Sequence, residues 1–219
     1  MFGDGVTWIV VAADEATFGK ADDELHHGKE IQVEWEKYAG MVQRGCPESL
    51  ILEKTHSTIT ENRATGPGTI KRIDSAPMAK QYLERRCIVL HTDRAKGYNM
   101  KLPLAVHDSV RHSKKRVKVN GQWVLKKPTW TKLVTHELPD GSVLQCKAGT
   151  HIIDRVWRFI RSHITGLNTI HGTNTFTRAI RSAQWLYWQC DKDLWVATSD
   201  MLGSLPNIFM LDAMCEAML

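Results

Sequence analysis

The stretch Cys87-Ile88-Val89-Leu90-His91-Thr92-Asp93 does most to limit what this chain can become. An apolar run with β-branched members, preceded by the charged pair Arg85-Arg86 and followed by Gly97, reads as a short buried strand rather than a helix. Asp93 then stands at the strand's C-terminal end, where the backbone leaves the sheet. Such a carboxylate either caps the following turn or holds a cation at the sheet edge. A second stretch, Trp8-Ile9-Val10-Val11-Ala12-Ala13-Asp14-Glu15, also runs apolar into a carboxylate. Two such strands delivering Asp14 and Asp93 to one edge make half of a divalent-metal site.

Hard cations take oxygen ligands, commonly one or two protein carboxylates completed by phosphate and water. Phosphoryl-transfer sites place two such ions about 4 Å apart, one at the attacking oxygen and one at the leaving oxygen. A third polar ligand is required from elsewhere. The segment Thr150–Arg161 offers it, because Ile153, Val156, Trp157 and Ile160 fall on one helical face and Asp154 lies in the same helix. Strand Asp, strand Asp and helix acid together form the pattern of polynucleotidyl transferases.

Four stretches in order resemble the DDE transposases of the ISXO-like insertion-sequence group. They are Asp14–Lys20, Leu90–Tyr98, His107–Lys114 and the helix around Asp154 and Trp157. The resemblance implies an RNase H-like fold, a mixed five-stranded sheet with three antiparallel strands first, over residues 1–190. It implies two Mg²⁺ (or Mn²⁺) ions and DNA as the partner, with cleavage and strand transfer at transposon ends held by a homo-oligomer. Asp14 and Asp93 match the first two acids. Alignment on Trp157 puts His151 where the family has Asn and Asp154 where it has Glu. One turn of helix separates His151 from Asp154, so they share a face and either reaches the ions; the carboxylate is the harder ligand. Arg158 and Arg161 continue the exposed side of that helix toward phosphate, Arg161 standing where the family tends to have Lys.

Charge supports a polyanionic partner. The net charge is +5, but Lys101 to Arg161 holds 13 Lys or Arg against 4 acids. The densest piece comprises Arg111, His112, Lys114, Lys115, Arg116 and Lys118, with Lys126 and Lys127 after it and Trp123 and Trp130 interleaved. Cations beside aromatics suit a phosphate backbone and an unpaired base; a solvated charge run is the plainer alternative. His107 and His112 either touch that backbone or are satisfied within the fold. The five cysteines are scattered with no close pair, which reads as free thiols in a reducing compartment. No apolar run approaches the roughly 18 residues of a membrane span and no leader is evident, so an intracellular protein acting where DNA lies is expected.

Along the chain, a β-meander is expected first. It comprises Val6–Ala13, a polar loop over Phe18–Glu30 containing His26-His27, a half-buried strand from Ile31 to Val42, and Leu50–Glu53 after a turn. A helix capped by Ser75, with Pro77 in its first turn, leads into the Asp93 strand, and Leu104–Val106 adds a fifth strand. The Asn120-Gly121 and Asp140-Gly141 turns mark a basic β-insertion over about 111–147. Residues 174–188 read as an amphipathic helix, and residues 191–219 as a tail, helical or partner-binding. The chain opens almost directly at the first strand, so no DNA-reading segment is expected ahead of the core, as in a fragment, a truncated copy or a domesticated remnant.

Overall fold

The computed structural model describes residues 2–23, 32–61, 63–167 and 170–204. Among the described residues, ten strands and four α-helices follow one another. The strands are β1 (Ile9–Asp23), β2 (Gln32–Gln43), β3 (Cys46–Lys54), β4 (Thr58–Glu61), β5 (Ile88–Asp93), β6 (Ala105–Val110), β7 (Lys115–Val119), β8 (Gln122–Lys126), β9 (Lys132–Glu137) and β10 (Val143–Ala148). The helices are α1 (Arg72–Leu83), between β4 and β5, then α2 (His151–Ile164), α3 (Asn174–Trp188) and α4 (Leu194–Ser204) at the C-terminal side of the strands. The main sheet is mixed, in the order β3-β2-β1-β5-β6, with β4 beside β2. The first three strands are antiparallel, whereas β1-β5 and β5-β6 are parallel. Helices cover both faces, giving a mixed α/β architecture.

Both faces of β5 are buried, which is why its sequence is a continuous apolar run instead of an alternating one. On one face Ile88 and Leu90 join Val11, Ala13 and Met41 under α1, through Met78, Ala79 and Leu83. On the other, Ile153, Val156, Trp157 and Ile160 of α2 and Phe176, Ile180 and Ala183 of α3 cover Ala12, Tyr38, Val42 and Leu52. The four α2 side chains are those the helical periodicity selects, and burying each stabilises the fold by about 1.5–3 kcal/mol. α3 is tied to β3 by polar contacts as well: Gln184 Nε2 and Trp188 Nε1 donate to the Leu50 carbonyl at 2.9 and 2.8 Å, and an Arg181 guanidinium N–H to that of Leu52 at 2.7 Å.

Four expectations need correction. The sheet has six strands rather than five, because β4, between β3 and the first helix, pairs with β2. The polar loop expected from Phe18 is strand as far as Asp23, paired to β2 through a register shift between Thr17 and Gly19. Phe18, at that irregularity, packs against Tyr38, Trp157 and Phe176 at ring-centroid distances of 5.8, 6.0 and 6.4 Å, an apolar anchor that outweighs the polar residues around it. The first helix begins at Arg72 rather than after Ser75; the buried Ser75 hydroxyl donates to the Gly97 carbonyl at 2.6 Å, and Pro77 lies inside the helix. Strand β6 runs on through His107 and Asp108. The Asn-Gly and Asp-Gly turns do close hairpins, β7–β8 and β9–β10, each a separate two-stranded sheet. The His26-His27 pair and residues 205–219 of the tail lie outside the described residues.

Gly40, opposite Asp14 in the β1–β2 register, sets the distance of α2 from the sheet. A Cβ there would stand 2.6 Å from the Trp157 ring and 3.1 Å from Ile153. We expect Gly40→Ala to destabilise the protein by about 1–3 kcal/mol through overpacking in denaturant unfolding, and Trp157→Leu in the same chain to recover part of that loss.

Candidate functional site

The parallel pairing of β1 with β5 ends at Ala12 opposite His91. Two residues further on, Asp14 and Asp93 come level, and β1 continues without β5 beside it. Asp14 points to the face covered by α2, and Glu15 to the opposite face, where the Ile70 N–H donates to Oε1 at 2.8 Å and the Tyr98 hydroxyl to Oε2 at 3.0 Å. Strand alternation alone separates neighbouring side chains. At a freed strand edge, however, both carboxylates reach toward Asp93. One oxygen from each of Asp14, Glu15 and Asp93 lies within 4.8 Å of the others, a group able to hold a metal ion. Asp93 also makes the turn contact open to it from sequence, since its Oδ1 accepts from the Ala95 N–H at 2.8 Å.

The acid on α2 faces this group across an open groove of about 370 Å³ lined by Asp14, Glu15, Asp154, Trp157, Arg158 and Arg161. Burial, then the charges of Glu15, Asp93 and Asp154, push the Asp14 carboxyl up to about 8. Burial is also the main cause raising Glu15. Asp154 thus faces the strand acids across the groove, outside the three whose oxygens lie within 4.8 Å of one another. His151 is exposed at the first residue of α2 and lines no part of the groove. Of the two candidates for the third ligand, the fold brings only Asp154 to the site.

Asp154 is held from the insertion side. Its Oδ2 accepts from the Thr150 hydroxyl at 3.2 Å, the same hydroxyl meets His112 Nε2 at 3.1 Å, and the His112 ring stacks on Trp130 at 4.6 Å. His112 is therefore a satisfied histidine that positions an acid through Thr150, a residue no sequence signal singled out. His107 Nε2 likewise meets the Thr92 hydroxyl at 2.8 Å. Glu15 was missed as a candidate ligand because alternation assigns it to the face away from Asp14; its only signal was its place beside Asp14.

The cations fall into two groups. Arg158 and Arg161 line the groove and are exposed, Arg161 donating to the Thr17 carbonyl at 3.3 Å and lying over the Phe18 ring at 5.6 Å. Lys114, Lys115, Arg116, Lys118, Lys126 and Lys127 are exposed on or beside the β7–β8 ribbon. Arg111 is half-buried at its base, bridged to Thr129. Across the ribbon Lys118 faces Trp123, which is 68% exposed, and Lys115 faces Lys126.

Comparison with known protein families, characterised proteins and solved structures gave no match. The site is therefore read from its geometry. No helix among the described residues is long and apolar enough to cross a membrane.

Two outcomes follow. Because the Asp14 value in the folded protein exceeds its ordinary 3.8, protonated Asp14 favours folding at low pH, and that contribution is lost as pH rises through about 8. Without divalent cations, Asp14→Asn should be more stable than the parent at pH 8, with the difference shrinking toward pH 4; denaturant midpoints across that range test it, and parallel profiles would refute it. Thr150→Val should weaken divalent-cation binding about 10–100-fold in calorimetric titration while leaving the circular dichroism spectrum unchanged.

Proposed function

We propose that this chain is a DNA-cutting and DNA-joining core of the DDE transposase type, akin to the ISXO-like group, on an RNase H-like sheet, and that Mg²⁺ or Mn²⁺ serves its carboxylates. The observation that carries the reading is the meeting of Asp14 and Asp93, from distant parts of the sequence, where β1 and β5 part, with Asp154 facing Asp14 from α2. The strand order, three antiparallel strands followed by two parallel ones, supports the same reading.

The donor set fits hard divalent cations. Asp14, Glu15 and Asp93, with Asp154 across the groove, are all carboxylates; burial, then the charge of these neighbours, keeps a proton on Asp14 near neutral pH, a cost that a cation would relieve. Such ions, when bound, would activate a water or a 3′-hydroxyl and stabilise the leaving oxygen of a phosphodiester. The chain's own residues do the rest. Asp14, Asp93 and Asp154 fix the reacting centre in position, and position is the larger share of catalysis in phosphoryl transfer. Tyr98 and the Ile70 amide restrain Glu15. Arg158 and Arg161 offer guanidinium groups to phosphates entering the groove, where planar bidentate pairing is strong.

The exposed ribbon extends the footprint. Lys115 directly opposite Lys126 is a like-charge pair that weakens the ribbon on its own, and a phosphate backbone removes that repulsion. A homo-oligomer would bring two DNA ends to two such sites.

Incubation with supercoiled plasmid and Mg²⁺ or Mn²⁺ tests the reading. The parent chain should nick; Asp93→Asn and Asp154→Asn should lose on the order of 10²-fold or more, and His151→Ala should keep most of the activity. Binding of plasmid by all four proteins with nicking by none sinks the enzyme.

A further inference from the structure

Two residues before Asp93, a second set of metal-type ligands meets. His91 of β5 stands in register with Asp108 of β6. The β9–β10 hairpin, which is not hydrogen-bonded into the main sheet, brings Cys146 and His136 against them. His91 is 1% exposed, Asp108 6% and Cys146 9%, so all three are withdrawn from bulk solvent.

His91 Nδ1 lies 3.3 Å from Asp108 Oδ2 without hydrogen-bond alignment, and neither of its ring nitrogens has a hydrogen-bond partner. Leaving a buried polar group unpaired costs about 1–3 kcal/mol, and the buried Nδ1, set beside a carboxylate but out of hydrogen-bond alignment with it, stands where a metal-ligand atom would. Asp108 is held on one oxygen: its Oδ2 takes the His136 ring at 2.7 Å, while Oδ1 has no hydrogen-bond partner and only the Lys132 ammonium at 3.7 Å.

One atom from each of His91, Asp108 and Cys146 lies within 4.8 Å of the other two. Around a tetrahedral zinc ion, with N or O at about 2.0–2.1 Å and S at about 2.3 Å, neighbouring ligand atoms are about 3.3–3.6 Å apart. The His91–Asp108 pair is already at that spacing; Cys146 Sγ, 4.0 Å from Asp108 Oδ2, has about half an ångström to close on that edge and stands within 4.8 Å of the His91 ring nitrogen.

We propose that His91 Nδ1, Asp108 Oδ2 and Cys146 Sγ bind one Zn²⁺, with a water at the fourth corner. His136 donates to the Asp108 carboxylate, the kind of outer contact that orients a ligating group. Thiolate and imidazole select a borderline-soft ion, whereas Asp14, Glu15 and Asp93 suit a hard one; the chain thus sorts two kinds of cation into sites on the same strand. The zinc staples the β9–β10 hairpin to β5 and β6. A two-stranded hairpin alone is marginally stable, and this one leads from Ala148 directly into the helix that carries Asp154. The inference stands apart from the proposed DNA chemistry.

Cobalt spectroscopy tests it. Reduced, metal-stripped full chain is titrated with Co²⁺ while circular dichroism monitors the fold. The expected result is a near-ultraviolet thiolate-to-cobalt charge-transfer band with the intense visible bands of tetrahedral cobalt, saturating at one ion per chain, displaced by Zn²⁺ and not by Mg²⁺. Cys146→Ser should lose the charge-transfer band, and Cys190→Ser, at an exposed thiol, should keep it. A folded parent chain with no such band, or a band that survives in Cys146→Ser, overturns the proposal; the first of these does not depend on any variant folding.

Discussion

The end of the β1–β5 ladder at Ala12 and His91 is the constraint on which the polar edge depends. Up to that pair, five neighbouring strands exchange backbone hydrogen bonds and bury apolar side chains on both faces. Beyond it β1 keeps β2 as its neighbour and loses β5. Any side chain on the freed edge is drawn toward the space β5 vacates. Asp14, Glu15 and Asp93 occupy that space, so their closeness is a product of sheet topology as much as of sequence. Unpartnered, such a group costs stability, as the elevated value of Asp14 records.

What the sequence made legible were the features with short-range causes. The apolar run ahead of Asp93 declared a strand because β5 is buried on both sides. The periodicity of Ile153, Val156, Trp157 and Ile160 declared a helix with one buried face, and the packing of that face holds Asp154, at its margin, across the groove from Asp14. The Asn120-Gly121 and Asp140-Gly141 turns declared two hairpins because left-handed backbone is cheap there; Asn120 and Gly121 both take positive φ, 49° and 82°. Asp93 filled both of the roles its position suggested, a turn acceptor and a member of the carboxylate group.

What escaped had causes at long range. Glu15 joins the carboxylates because a neighbouring strand stops, which no local pattern encodes. Strand β1 runs past its polar residues because Phe18 inserts among Tyr38, Trp157 and Phe176, residues from three later elements. Ser75 looked like a helix cap, yet it answers a carbonyl at Gly97. The scattered cysteines gave no hint that Cys146 would meet His91 and Asp108, because that meeting requires the β5–β6 register and the fold-back of β9–β10 together. Residue spacing cannot report such a convergence; only the sheet order does.

The β7–β8 ribbon shows what a thin element means for association. Its strands bury almost nothing, with Val117 alone half-covered. Little cohesive energy therefore resists its swinging or fraying, and the entropy of fixing it is left to be met when something binds. A thinly packed arm of this kind grips weakly at each contact. Its hold on any target would be quick to release and sensitive to ionic strength.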